Sequence, residues 1–186
     1  EALGPTLHPQ RIALRPLIEE CMAVVEPAAR ARRLQTKITV DPEAPTHFVT
    51  DGIQLRHILA NLLSNAVKYT PSGMIECRVS GDTDRLTIEV ADTGLGIPQA
   101  QRHRLFKEFE RFGAERTGIE GTGLGLSIAH RLARLMGGHM GHRDNPVGGS
   151  VFWLELPAAA AERDTRVDTP PTAPDRCLKV LVVDDS

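Results

Sequence analysis

A chain of 186 residues with 41% hydrophobic and 25% charged side chains has the size of about one domain and enough apolar surface to bury a core, which excludes an intrinsically disordered chain. The 22 Lys+Arg against 24 Asp+Glu leave a formal net charge of -2, with no basic stripe to suggest nucleic acid and no run approaching the roughly 20 apolar residues that cross a bilayer. Three scattered cysteines, Cys21, Cys77 and Cys177, argue against a disulfide framework or a zinc site and favour a reducing, cytoplasmic setting. The opening Glu1-Ala2-Leu3-Gly4-Pro5 has neither the basic region nor the apolar stretch of a signal peptide and reads as an internal cut.

In chain order, apolar residues at Leu14, Leu17, Ile18, Cys21, Val24, Val25 and Ala28 predict an amphipathic helix over 14 to about 34, with Pro16 suited to its first turn and Pro27 a candidate kink. Thr36-Lys37-Ile38-Thr39-Val40 alternates like a strand and is ended by Pro42 and Pro45. A second helix is predicted from Asp51, its N-cap, to Tyr69, closed by Pro71-Ser72-Gly73. Strands over 74–80 and 86–91, joined by Gly81-Asp82-Thr83-Asp84, form a hairpin. Ten of the sixteen glycines fall between Gly113 and Gly149, around a third helix over about 124–136. A last strand pair, 139–143 and 150–156, is separated by Asp144-Asn145-Pro146-Val147-Gly148-Gly149. Residues 157–176 have no apolar periodicity and contain Pro170-Pro171-Thr172-Ala173-Pro174, the composition of a solvated linker. Leu178-Lys179-Val180-Leu181-Val182-Val183 then reads as a buried-type strand ending in Asp184-Asp185-Ser186.

On the second helix, Gln54, His57, Asn61, Asn65 and Lys68 fall on one arc, opposite Leu55, Leu59, Leu62, Leu63 and Ala66. A plain solvent face would favour Lys, Glu and Arg. Two Asn one turn apart instead offer amide oxygens suited to a hard cation that keeps several waters, and Lys68 offers phosphate a point charge.

Two glycine motifs follow. In Asp92-Thr93-Gly94-Leu95-Gly96-Ile97-Pro98, an acceptor-only carboxylate at a strand end precedes glycines that admit a flat ligand, an arrangement able to recognise an exocyclic amine; an ordinary Asp-x-Gly turn has the same residues. Gly121-Thr122-Gly123-Leu124-Gly125-Leu126-Ser127 opens the third helix and exposes backbone N–H groups at its positive end. It fits neither the dinucleotide fingerprint nor the P-loop. Between them, Leu105-Phe106-Lys107-Glu108-Phe109-Glu110-Arg111-Phe112 reads as a short anchored helix at the root of a lid over 113–121.

Taken in order, N-L-L-S-N-A-V-K-Y-T at 61–70, D-T-G-L-G-I-P at 92–98, L-F-K-E-F at 105–109 and G-T-G-L-G-L-S at 121–127 resemble the four boxes of the ATP-binding catalytic domain of sensor histidine kinases. The resemblance spans about residues 10–157 and implies a two-layer α/β sandwich, a mixed, mostly antiparallel sheet with three helices on one face, shared with gyrase, Hsp90-type chaperones and mismatch-repair ATPases. It implies ATP and Mg2+ as ligands. Asn65 would be the metal ligand and Asn61 a metal or phosphate contact. Lys68 and Tyr69 would neighbour phosphate and adenine, and Asp92 would accept from the adenine amine. Gly94, Gly96 and Ile97 would shape the adenine pocket. Gly121, Thr122, Gly123, Leu124, Gly125 and Leu126 would wrap the phosphates, with Arg111, and more weakly Arg116, as γ-phosphate contacts. Asn61, Lys68 and Arg111 are the candidate catalytic residues. The position matching Asn61 is a water-activating glutamate in the related ATPases, so an amide there favours phosphoryl transfer over hydrolysis.

None of the seven histidines, His8, His47, His57, His103, His130, His139 and His142, has the context of the family's phosphorylated residue. The implied partner is therefore a histidine-containing dimerisation domain absent from this chain. Lys179-Val180-Leu181-Val182-Val183-Asp184-Asp185 resembles the first strand of a response-regulator receiver domain, which implies a hybrid kinase and a receiver domain or response regulator as second partner. The expected organisation is a catalytic domain over 1–157, a linker over 158–176 and a truncated receiver strand over 177–186, with no nucleic acid or direct membrane contact. The competing readings are a degenerate nucleotide-sensing or docking module without phosphotransfer, and an ATPase of the same superfamily.

Overall fold

The computed structural model describes residues 6–107 and 123–159. In chain order its elements are β1 (Gln10–Ala13), α1 (Leu14–Ala31), β2 (Gln35–Val40), β3 (His47–Thr50), α2 (Gly52–Tyr69), β4 (Met74–Gly81), β5 (Arg85–Asp92), a 3-10 helix (Gln99–Arg104), α3 (Gly125–Leu135), β6 (His139–Asp144) and β7 (Ser150–Pro157). Of the expected linker and receiver strand, residues 160–186 lie outside the described residues.

The helices form where the apolar spacing places them. α1 buries Leu14, Leu17, Ile18, Cys21, Met22, Val25 and Ala29, and continues through Pro27, so the hydrogen bond lost at that ring does not end it. It stops at Arg32, before Arg33 turns left-handed at φ 57°. α2 is capped by Asp51, whose Oδ1 accepts from the backbone N–H of Ile53 and Gln54 at 3.0 Å each while Oδ2 accepts from His8 N at 2.9 Å. Burial pushes the Asp51 carboxyl up, but these three donors together hold it below its usual value. At the other end of α2, the Arg32 guanidinium donates to the carbonyls of Val67 and Lys68 at 3.1 and 2.9 Å, placing positive charge at the helix C-terminus.

The main sheet has five strands in the order β2-β4-β5-β7-β6. Only β2 and β4 are parallel; the other pairs are antiparallel. Registers Cys77↔Val90↔Phe152↔His142 and Val79↔Ile88↔Leu154↔Met140 put these residues on one face, where the apolar ones merge with the buried faces of the three helices into one core. α2 is the central helix, packed between α1 and α3. β1 and β3 make a separate antiparallel ribbon. Neither strand shows in the sequence, because four residues are too few for an alternation to stand out.

The opposite face of the sheet is a polar ladder. Lys37, Glu76, Arg78, Glu89 and Arg143 are joined across four strands by contacts of 3.1, 2.6, 3.7 and 2.6 Å. Glu76 is only 6% exposed. The Thr39 hydroxyl donates to its carboxylate at 2.7 Å, and this bond, aided by Arg78 and Lys37 against the cost of burial, pulls the carboxyl down from 4.5 to about 2. A depressed carboxyl contributes stability that is full above its unfolded value and is lost as pH falls through the folded one. Glu76→Gln is expected to lower stability by about 1–2 kcal/mol at neutral pH, discounted for the half-exposed partners. Denaturant melts of both proteins should converge between pH 4.5 and about 2.

Candidate functional site

The two faces of α2 separate as its sequence spacing predicts. Leu55, Leu59, Leu62, Leu63 and Ala66 are buried, while Asn61, Asn65 and Lys68 are half-buried. The polar stripe is not a free solvent face, because the start of α3 crosses it. A Cβ added at Gly125 would lie 2.6 Å from Asn61 Oδ1, so only glycine permits this approach. Asn61 itself donates from Nδ2 to the His57 carbonyl at 2.9 Å, which fixes its amide oxygen toward α3. Asn65, one turn on, has no hydrogen bond to a described residue and is available to a ligand.

Leu124 caps α3 without a side-chain bond, and the first N–H groups of such a helix have no intrahelical acceptor. Gly123 precedes it at φ 73°. Ser127 Oγ turns back to the Leu124 carbonyl at 2.9 Å, leaving backbone donors rather than the hydroxyl at the open end. The start of α3 thus lies against the Asn61 amide, and a helix N-terminus beside amide oxygens is chemistry suited to phosphate and its counter-ion.

Asp92 ends β5, 5% exposed. Its Oδ1 accepts from Gly94 N at 2.9 Å and Ser150 N at 3.2 Å; Oδ2 has no hydrogen bond to a described residue. Burial pushes this carboxyl above its usual value, and the two backbone donors only partly offset it. The Asp-x-Gly turn and a ligand-facing carboxylate are thus not alternatives: one oxygen makes the turn and the other stays free.

Residues 92–98 are held on two sides. Toward α2, Leu95 N donates to Tyr69 O at 3.2 Å, and toward the start of β4, Thr93 N donates to Met74 O at 3.1 Å and Met74 N to Thr93 Oγ1 at 3.0 Å. A Cβ at Gly94 would strike Tyr69 O and lie 2.9 Å from Thr70 Oγ1, so this glycine serves close packing against the end of α2. Toward the β6–β7 turn, Asn145 Nδ2 donates to Asp92 O at 2.8 Å. Gly149, at φ 90°, stands where a Cβ would lie 2.6 Å from both Asp92 Oδ1 and Gly94 N. Gly96 lies at φ 66°.

The structure sets Gly125 of α3 against Asn61 and packs Gly94 and Leu95 on Tyr69 and Thr70 at the end of α2, with Asp92 bonded to Gly94; Asn65 and Lys68 follow Asn61 along α2, Gly96 and Ile97 follow in the Asp92 loop, and Gly123, Leu124 and Leu126 flank Gly125. Gly121, Thr122, Arg111 and Arg116, with Phe109, Phe112 and the lid over 113–121, lie outside the described residues. Leu105 is buried, and Phe106 stacks on His130 with ring centroids 4.7 Å apart, which anchors this part of the phenylalanine segment in the core. The sequence spacing does not reveal Asn145, Gly149 and Ser150 as neighbours of Asp92. Their signal is the Gly148-Gly149 pair ahead of a strand, which also describes an ordinary turn.

The family described as "Histidine kinase-, DNA gyrase B-, and HSP90-like ATPase" matches residues 50–160, a span that contains every motif assembled above. The chain belongs to this family. Sensory/regulatory protein RpfC of Xanthomonas campestris pv. campestris is 43% identical over 158 residues, covering 81% of this chain and 22% of RpfC. Sensor histidine kinase AruS of Pseudomonas aeruginosa is 39% identical over 181 residues, 93% of this chain and 18% of AruS. The chain thus spans about a fifth of the length of these relatives. Full-length ShkA, solved in complex with AMPPNP, superposes with a TM-score of 0.72 at 32% identity, over 87% of this chain and 33% of that one. The nucleotide-free catalytic domain of histidine kinase ThkA gives 0.71 at 24% identity, over 82% of this chain and 99% of that one, and shows the shared fold. The expected α/β sandwich with its mostly antiparallel mixed sheet is therefore the fold observed, and the chain is an ATP-binding catalytic domain of the sensor histidine kinase type. No helix among the described residues is long and apolar enough to cross a membrane.

Gly125→Ala is expected to push the start of α3 away from Asn61, costing about 1–3 kcal/mol less the gain in helix propensity, and to weaken nucleotide binding more than stability. Nucleotide titration beside a thermal melt separates the two effects.

Proposed function

We propose that this domain binds Mg-ATP between α2, the Asp92 loop and the start of α3, and transfers the γ-phosphoryl group to a histidine on a dimerisation domain of the same kinase. The observation that carries this reading is the approach of Gly125 to Asn61, which sets an open helix N-terminus against the amide stripe that Asn65 and Lys68 continue. Asn65 would ligate Mg2+, with Asn61 a metal or phosphate contact and Lys68 a phosphate contact. Among the described residues no three His, Cys, Asp or Glu side chains converge, so the cation would keep waters and phosphate oxygens beside one amide oxygen. When bound, it neutralises phosphate charge. Asp92 would accept from the adenine amine, with Tyr69, Gly94, Gly96 and Ile97 shaping the base pocket. The backbone from Gly121 to Leu126 would hold the phosphates, and Arg111 would meet the γ-phosphate.

In the transfer, the lone pair of the acceptor imidazole forms a P–N bond to the γ-phosphorus as the bond to the bridging oxygen breaks, ADP leaves with that electron pair, and the proton on the other ring nitrogen is released to solvent. The protein's part is positioning and charge neutralisation. Asn61 cannot take a proton from water, which disfavours hydrolysis. The strand-like residues 178–183 and Asp184-Asp185 support a hybrid kinase, with the catalytic domain at 1–157, a linker at 158–176 and the start of a receiver domain at 177–186; a receiver domain or response regulator would take the phosphoryl group onward. A cytoplasmic location accords with the unpaired Cys21 and Cys77.

Calorimetric titration with ATP should give micromolar-range binding that depends on Mg2+. Asp92→Asn should weaken it by about tenfold or more, since an amide can turn a donor toward the amine, and Asn65→Ala should remove the Mg2+ dependence. Unchanged affinity in both variants would refute these assignments. Because burial raises the Asp92 carboxyl, affinity should decline on acidification at milder pH than an ordinary aspartate dictates. Labelled phosphate should pass to an added histidine-bearing helical domain; binding without transfer would favour the docking module, and steady hydrolysis by the chain alone would favour the ATPase.

A further inference from the structure

The loop from Asp92 to Ile97 has little apolar anchorage at its middle, where Leu95 is 64% exposed. Polar contacts must hold it. At its start it is tied to the β6–β7 turn, through Asn145 Nδ2 on Asp92 O and Ser150 N on Asp92 Oδ1. At its far end Ile97 packs partly on the core, and one side chain adds a polar tie. Arg102, in the 3-10 helix, donates from Nε to the Ile97 carbonyl at 3.0 Å and from Nη2 to both oxygens of the Asp144 carboxylate at 2.7 and 2.9 Å. Asp144 is the residue before Asn145, so both grips converge on one corner of the sheet.

We propose that Arg102 is a positioning residue for the nucleotide base: braced on Asp144, its guanidinium fixes the Ile97 carbonyl and so holds the base side of the pocket in shape. The inference rests on the nucleotide reading given above. An ion pair with side chains 36% and 58% exposed contributes little stability by itself. Its value here is geometric, because a planar guanidinium with two fixed donors can orient a third group, which a lysine ammonium cannot do in the same way. The 3-10 helix also leads directly into buried Leu105 and into Phe106 against His130, so Arg102 joins the base loop to the root of the phenylalanine segment.

The test is ATP calorimetry with thermal melts on the wild-type chain, Arg102→Ala, Asp144→Ala and the exchanged pair Arg102→Asp with Asp144→Arg. Arg102→Ala should raise the ATP dissociation constant about tenfold, the loss of one charge-assisted hydrogen bond, with little change in melting temperature. Asp144→Ala, which keeps the Ile97 bond but frees the guanidinium, should raise it about threefold. The exchanged pair should keep a near wild-type melting temperature but lose affinity as Arg102→Ala does, because an aspartate at 102 cannot donate to the Ile97 carbonyl. Folded Arg102→Ala binding ATP like the wild type, or full recovery of affinity in the exchanged pair, overturns the inference alone. A wild-type chain that binds no ATP overturns the nucleotide reading and this inference with it.

Discussion

A nearly buried carboxylate at the end of a central strand is unfavourable unless donors surround it, and the candidate site is organised around meeting that need for Asp92. Its donors are backbone N–H groups, from Gly94 two residues on and from Ser150 at the start of the neighbouring strand. Bringing both to one oxygen requires the loop after β5 to fold back on itself and the β6–β7 turn to lie against it. Gly149 allows the second of these, since at φ 90° with Asp92 and Gly94 against it there is neither a comfortable backbone nor space for a side chain. Leaving the other oxygen unpaired is what gives the arrangement chemical use, and the same burial that raises its proton affinity sharpens any hydrogen bond it accepts.

α2 sets the distance between that carboxylate and the proposed phosphate side. Its apolar face is sealed in the core, its first turn is fixed by Asp51 and its last carbonyls by Arg32. Rotation about its axis is thereby prevented, and Asn61, Asn65 and Lys68 keep one heading. The end of the helix is joined to the Asp92 loop through the Tyr69 carbonyl, so the proposed base and phosphate sides share a rigid strut. α3 completes the geometry by approaching α2 at glycine distance.

Much of this was legible in the sequence, for reasons that differ by residue. The apolar spacing of α1 and α2, the Asp51 cap and the β4–β5 hairpin are local signals, and the structure follows them within a few residues. The amide stripe was legible because its composition is wrong for a solvent face. The β1–β3 ribbon was not, since two four-residue strands 37 residues apart are defined only by each other. Nor were Asn145 and Ser150 as neighbours of Asp92: their contacts reach across 53 and 58 residues and leave no local periodicity. Gly94 and Gly125 stood out as glycines, but the reason each must be one, a carbonyl of Tyr69 in one case and the amide of Asn61 in the other, exists only in the folded chain.

The strand order carries a further consequence. β5 pairs directly with β7, so the sheet closes without calling on the chain between residues 93 and 138 for its central contacts. The cost of closing a loop rises only about 0.6 kcal/mol for each doubling of its length, so residues can be added ahead of α3 at small expense to the sheet, whereas α3 itself, with Ala129 and Ala133 in the core, is held. A domain built this way can diverge in length between its 3-10 helix and α3 while the central strand pairing stays the same.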